Sequence, residues 1–83
     1  MTTMTMTLPE TIFSAIRWSP DEFIREMRIE AAAQWYAQQR VSQERAAEIA
    51  GLSRAEFINA LAQRRIPLVQ AEYEEIIEEV RRA

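Results

Sequence analysis

Apolar residues recur along this chain at two different periods. From Thr3 to Leu8, threonine alternates with Met4, Met6 and Leu8. A period of two puts the three apolar side chains on one side of an extended strand and Thr3, Thr5 and Thr7 on the other. Threonine also favours strands. A chain this short offers the strand no internal partner. The pattern therefore predicts pairing with a second copy across a dimer axis, or addition to a partner's sheet. Met4, Met6 and Leu8 are the candidate dimerisation residues. The same run also suits a tail without fixed structure.

From Pro9 onward the period is helical. Pro9 opens a short helix to about Arg17 with Ile12, Phe13 and Ile16 on its apolar face. Ser19, Pro20 and Glu22 supply a cap, a first-turn proline and the far end of a capping box, so a second helix starts there and runs to about Gln39. Phe23, Met27, Ala31 and Trp35 recur along it every four residues. Trp35 and Tyr36 read as core or interface anchors rather than a stacking platform for bases. Ser42 caps a third helix, Gln43 to Ala50, which Gly51 ends. Ser53 and Glu56 form another capping box, and a fourth helix runs to Arg64 or Arg65 before Pro67 stops it. Ile66 to Val69 is too short for more than an edge strand.

Beyond Ala71 the stretch carries Glu72, Glu74, Glu75, Glu78 and Glu79, with Tyr73, Ile76, Ile77 and Val80 at helical spacing. It reads as an amphipathic acidic helix, either packed on the same core or binding a partner. The predicted fold class is all-α: a small helical domain with a helix-turn-helix, a short N-terminal β-strand and a C-terminal amphipathic helix. The organisation expected is an arm over residues 1–8, a helical domain over 9–67 and an acidic partner-binding segment over 68–83.

Ser42 to Arg65 is the informative stretch. Two short helices around Ala50, Gly51 and Leu52 make a helix-turn-helix pattern. Ala46 and Ala47 are small enough for close helix crossing, Gly51 can take the left-handed conformation, and Leu52, Phe57 and Leu61 give the second helix its buried side. In such motifs the second helix enters the major groove by its N-terminal end. Its expected reading positions are Ser53, Arg54, Glu56, Asn59 and Gln63. Arg54 would suit a guanine edge, and Asn59 or Gln63 an adenine edge. Arg40, Arg45, Arg64 and Arg65 would hold phosphates.

Composition narrows the chemistry. The chain's 83 residues amount to one domain with a thin core, which favours dimerisation or a complex. It has no cysteine and no histidine, so disulfides, thiolate metal sites and the usual neutral-pH base are out of reach. The expectation is a binding protein and not an enzyme, with no catalytic residue, metal or cofactor. All ten basic residues are arginine. The net charge is −3, unlike most DNA-binding domains. The acidity is uneven: residues 17–65 hold eight arginines against seven acids, and residues 66–83 hold two against five. A nearly neutral middle predicts weak binding to DNA by one copy and better binding by two. No apolar run approaches membrane-spanning length, and the N-terminus lacks a signal-peptide pattern, so a cytoplasmic protein without membrane contact is expected.

Several of these residues carry a resemblance. The runs Glu26 to Ala32 (EMRIEAA), Trp35–Tyr36, Arg45 to Phe57 (RAAEIAGLSRAEF) and Arg64 to Pro67 (RRIP) resemble a family of small prokaryotic helix-turn-helix antitoxins. Its members are often described only as an uncharacterised protein family. They are typically encoded beside a PIN-domain ribonuclease toxin in a VapB–VapC-like arrangement. The resemblance spans roughly Leu8 to Pro67. It implies the antitoxin of a type II toxin–antitoxin pair, binding its own operator DNA and neutralising a nuclease toxin through the C-terminal segment. The partners implied are the toxin, double-stranded DNA and a homodimer or higher complex.

Two departures stand out: the chain has no lysine, and its tail is strongly acidic. PIN nucleases hold metal with clustered carboxylates, which would repel a purely acidic segment. Arg81 and Arg82 could pair with those carboxylates while Tyr73, Ile76, Ile77 and Val80 bury against the toxin. Ribbon-helix-helix repressors lay a paired strand in the major groove, and Thr3, Thr5 and Thr7 have the alternation for it. With a helix-turn-helix also present, the strand is expected to make the dimer or meet a partner. The alternative to the whole scheme is a helix-turn-helix-like protein–protein adaptor that binds no DNA.

Overall fold

The structure, a computed structural model, describes residues 1–68 and 77–82. The regular structure among them is helical: α1 Glu10–Ile16, α2 Pro20–Ala37, α3 Gln43–Ala50 and α4 Arg54–Gln63, with residues 77–82 also helical. Local chemistry sets the starts. The Ser19 hydroxyl accepts from the Glu22 N–H at 3.2 Å, and the Ser19 N–H reaches the Glu22 carboxylate at 3.4 Å. Ser42 caps α3 the same way through the Arg45 N–H at 3.2 Å. Ser53 and Glu56 form the second full box at 3.2 and 2.9 Å. The expected helix boundaries therefore hold within two or three residues.

The predicted N-terminal strand is not seen. Residues 1–9 have no regular structure, because an extended segment is held by a ladder and the described part of a single chain has no strand to pair with. Met4 and Met6 are exposed and Leu8 is half-buried. Ile66 and Leu68, expected at most in an edge strand, are instead half-buried against the helical core.

The core lies where α2, α3 and α4 meet. Ala32, Ala33 and Tyr36 come from α2, Ala46, Ala47 and Ala50 from α3, and Phe57 and Leu61 from α4. Five of these eight residues are alanine, which lets the backbones approach closely. The bulk is supplied by Tyr36 and Phe57, whose rings meet edge-on at 6.0 Å, and by fully buried Leu61. The buried stripe of α2 differs from the expected one. A repeat of four advances about 40° per step on a helix of 3.6 residues per turn, so Phe23, Met27, Ala31 and Trp35 spiral round the axis. The side meeting α3 and α4 is Ile29, Ala32, Ala33 and Tyr36, and Trp35 stays 42% exposed.

Gly51 joins α3 to α4 with φ +70°, a conformation that L side chains rarely adopt. A Cβ there would also stand 3.1 Å from the Arg28 guanidinium. That guanidinium donates to the Ile49 carbonyl at 2.8 Å and the Glu48 carbonyl at 3.3 Å. It satisfies the open C-terminal end of α3 and complements the negative end of its dipole. Arg28 thus ties α2 to the turn and fixes the angle at which α4 departs.

Candidate nucleic-acid interface

The direction of α4 follows from its cap. Ser53 starts the helix at the surface, so its first turn faces outward, away from the Phe57, Ala60 and Leu61 side. At about 100° per residue, the side opposite that buried face carries Ala55, Asn59 and Ala62, and all three are exposed. Two alanines and one amide make a narrow ridge with no long side chain in the way.

The residues expected to read bases do not share that ridge. Arg54 lies on one flank. Its Nε donates to the Gln43 Oε1 at 3.0 Å, and its Nη1 reaches the Glu79 carboxylate oxygens at 3.1 and 3.4 Å. Glu56 and Gln63 lie on the other flank. There, with Glu26, Ile29 and Arg64, they line a shallow groove between α2 and α4. The Glu56 carboxylate is held by the cap, since the Ser53 backbone N–H and then its hydroxyl keep its pKa below the ordinary glutamate value. Asn59 stands on the ridge and also edges the groove.

The arginines expected on phosphates divide in two. Arg64 clamps α4 to α2, donating from Nε to Glu30 at 2.6 Å and from Nη1 to the Ala60 carbonyl at 3.0 Å. Arg45 is exposed on α3 and pairs with Glu48 at 2.8 Å. Its pKa is raised by that hydrogen bond first, then by the charges of Glu48 and Glu44. Arg40 and Arg65 are exposed at the ends of α2 and α4.

Of the expected partner-binding residues, Tyr73 and Ile76 lie outside the described residues. Ile77 is half-buried, whereas Val80, Arg81 and Arg82 are exposed. Arg82 pairs with Glu78 one turn back at 3.7 Å. Glu79 points the other way, onto Arg54. Three features of the site were missed by the sequence reading: buried Gln43 as the acceptor that orients Arg54, Glu79 as its counter-ion, and the small residues Ala55 and Ala62 on the ridge. The first two join residues 11 and 25 positions apart, and no local signal marks them. The alanines were legible, since they fall opposite Phe57 and Leu61 on a helical wheel. Among the described residues no group of three or more acidic, histidine or cysteine side chains could hold a metal ion, and no helix is long and apolar enough to cross a membrane.

The model of one family, the uncharacterised protein family UPF0175, matches residues 1–83, and the chain belongs to that family. No curated protein and no solved structure matches it.

Proposed function

For this member of the UPF0175 family, we propose the role of antitoxin in a type II toxin–antitoxin pair. In this reading α3 and α4 are a helix-turn-helix that binds operator DNA of the chain's own operon. The C-terminal segment binds and neutralises a nuclease, of the PIN-domain class that the sequence resemblance implies. The work is binding, and no step of catalysis is assigned to the chain.

The observation that carries the reading is the uncovered ridge of α4. Ala55 and Ala62 suit contact with thymine methyl groups, and Asn59 between them suits an adenine edge. Arg40 and Arg65 are exposed at helix ends, where phosphates would be held. Arg54 takes part by exchange. Its pairing with Glu79 is a surface ion pair, worth about 0–1 kcal/mol, and a guanine edge or phosphate can replace that carboxylate. A nuclease that draws the tail onto itself also removes Glu79 from Arg54. On the nuclease, Ile77 and Val80 supply the apolar contact and Arg81 and Arg82 the pairing with clustered carboxylates.

A second reading, a protein–protein adaptor without DNA binding, is favoured by one observation. Arg45, Arg54 and Arg64 each already hold a carboxylate of this chain. Promoter DNA separates the two readings. For the antitoxin half, the chain is tagged at its N-terminus, captured from its native cell and analysed by mass spectrometry. A small nuclease returns in equal amount, and the Arg81→Ala/Arg82→Ala chain no longer inhibits it. Capture without a nuclease, or full inhibition by the double variant, counts against that half.

A further inference from the structure

The shallow groove between α2 and α4 has a volume of about 280 Å³. That is below the roughly 300–1,000 Å³ of sites that enclose a whole small molecule, and it suits one or two side chains of a partner. Its inner surface is apolar, formed by Ile29 of α2, Leu52 of the turn and Ala60 of α4. Ile29 and Leu52 rest half-buried on the core beneath.

The walls carry charge. Glu26 stands on the α2 side and Glu56 on the α4 side. The cation beside them, Arg64, is already taken: its Nε donates to Glu30 at 2.6 Å and its Nη1 to the Ala60 carbonyl at 3.0 Å. The Ser53 cap holds the Glu56 pKa below the ordinary glutamate value, so this wall is anionic at neutral pH.

Glu26 is in a different position. It is half-buried. Its neighbours one turn away on α2 are Glu22 and Glu30, and like charges at that spacing repel. Arg25 and Arg28 are close in sequence but project from other sides of the helix. Glu22 closes the Ser19 cap and Glu30 holds Arg64. Glu26 has no hydrogen bond or ion pair among the described residues. A half-buried carboxylate without a partner costs the free chain stability, and a ligand that brings a positive charge recovers it.

Charge selects that ligand. DNA and anionic lipid surfaces bring phosphates, which two carboxylates repel. A hydrated metal ion gains nothing from an apolar surface, and among the described residues no group of three or more metal-ligating side chains stands ready for it. The complementary ligand has an apolar stem and a cationic head. Arginine and lysine have that form, laying their methylenes on apolar surface while the head reaches a polar rim. A free amine would bury too little area in so shallow a groove, whereas a side chain carried by a folded partner arrives with neighbouring contacts.

We propose that the α2–α4 groove docks a segment of a partner protein through one arginine or lysine, whose stem lies on Ile29 and Leu52 and whose head pairs with Glu26 and Glu56. The docking is independent of what the α4 ridge binds.

The experiment is an amide NMR titration of the full, isotope-labelled chain with a short synthetic peptide of arginine, leucine and alanine. A second peptide carries citrulline, the uncharged isostere, in place of arginine. The arginine peptide moves the amides of Ile29, Leu52 and Glu56 and binds about fivefold tighter than the citrulline peptide. Glu26→Gln weakens the arginine peptide by about threefold and leaves the citrulline peptide unchanged. In the free chain Glu26→Gln raises the melting temperature, because it removes a charge that the fold leaves unmatched; a purely structural role would make it fall. The proposal is overturned by a lower melting temperature, by equal binding of the two peptides, by Glu26→Gln binding the arginine peptide as wild type does, or by an arginine peptide that moves only the Glu78–Glu79 end of the chain. Groove amides that move with chain concentration or with duplex DNA, and not with the peptide, give the groove another occupant and overturn it as well.

Discussion

The two halves of α2 belong to different environments. Toward its C-terminus the helix buries Ala32, Ala33 and Tyr36 against α3 and α4. Toward its N-terminus Ile24 is half exposed and Phe23 packs on Phe13 and Trp18 in a cluster without a fully buried member. One continuous helix thus carries a finished core at one end and an unfinished one at the other. Small residues mark the finished end, where backbones meet closely. Large residues mark the unfinished end, where side chains have area still to bury. The lesson is that aromatic content alone does not locate the core of a small helical protein; the close-approach alanines do.

The comparison breaks most visibly if the aromatics are truncated. Phe57→Ala opens a cavity in the closed core of α2, α3 and α4 and lowers stability by about 3–5 kcal/mol. That is a large share of what a domain this small has. In a chain kept monomeric, Phe13→Ala removes a half-exposed ring and one edge-on contact, a loss of about 1 kcal/mol. Urea unfolding of both variants measures the difference. Equal losses would mean that the two clusters are equally complete.

Gly51→Ala comes next. It forces a side chain into the left-handed region, at about 1–2 kcal/mol, and pushes on the Arg28 guanidinium that caps α3. The melting temperature falls, and an Arg28→Ala background lessens the fall, because the crowding is then gone while the backbone strain remains.

The capping boxes sharpen the comparison further. Ser19→Ala and Ser53→Ala each remove one cap, at about 1 kcal/mol. Ser53 starts the helix that contributes Phe57 and Leu61, so its loss moves global unfolding. Ser19 starts the unfinished end, so its loss shows mainly as faster amide exchange in the first turn of α2. The Ser53 box also titrates. Glu56 has its pKa lowered in the folded state, so its contribution is complete above the ordinary glutamate value and is lost as pH falls through the lowered one. In acid titration, Glu56→Gln flattens that part of the stability curve and leaves neutral pH behaviour otherwise parallel.

Much of the fold was legible because its signals are local. Ser19 with Glu22, Ser53 with Glu56, and Gly51 each specify a helix end through residues no more than three apart. Phe57 and Leu61 were legible as the inner side of α4 by spacing alone. What spacing could not give was the azimuth of α2, because both Phe23–Met27 and Ile29–Ala33 are plausible apolar sides, and only the crossing of α3 decides between them. The pairings of Arg64 with Glu30 and of Arg54 with Gln43 depend on how α2, α3 and α4 meet, and that of Arg54 with Glu79 on where the helix over residues 77–82 lies. They turn Arg64, expected on phosphate, and Arg54, expected on a guanine edge, into residues that first hold the chain itself. The strand failed for a different reason: its pattern is present, but a strand is a property of two segments, and the described residues of one chain supply one.

The smallest expected effect sits at the functional reading. Glu79→Gln removes an exposed counter-ion from Arg54, a change of about 0.2–1 kcal/mol. The most direct measurement is fluorescence anisotropy of a promoter fragment from the chain's own operon, titrated at low and moderate salt with wild-type, Asn59→Ala and Glu79→Gln chains. The account predicts salt-dependent binding by wild type, loss of preference for the promoter over unrelated DNA in Asn59→Ala, and binding up to about fivefold tighter in Glu79→Gln. If neither wild type nor Glu79→Gln binds the promoter better than unrelated DNA at low salt, the α4 ridge is not a DNA-reading surface and the adaptor reading takes its place.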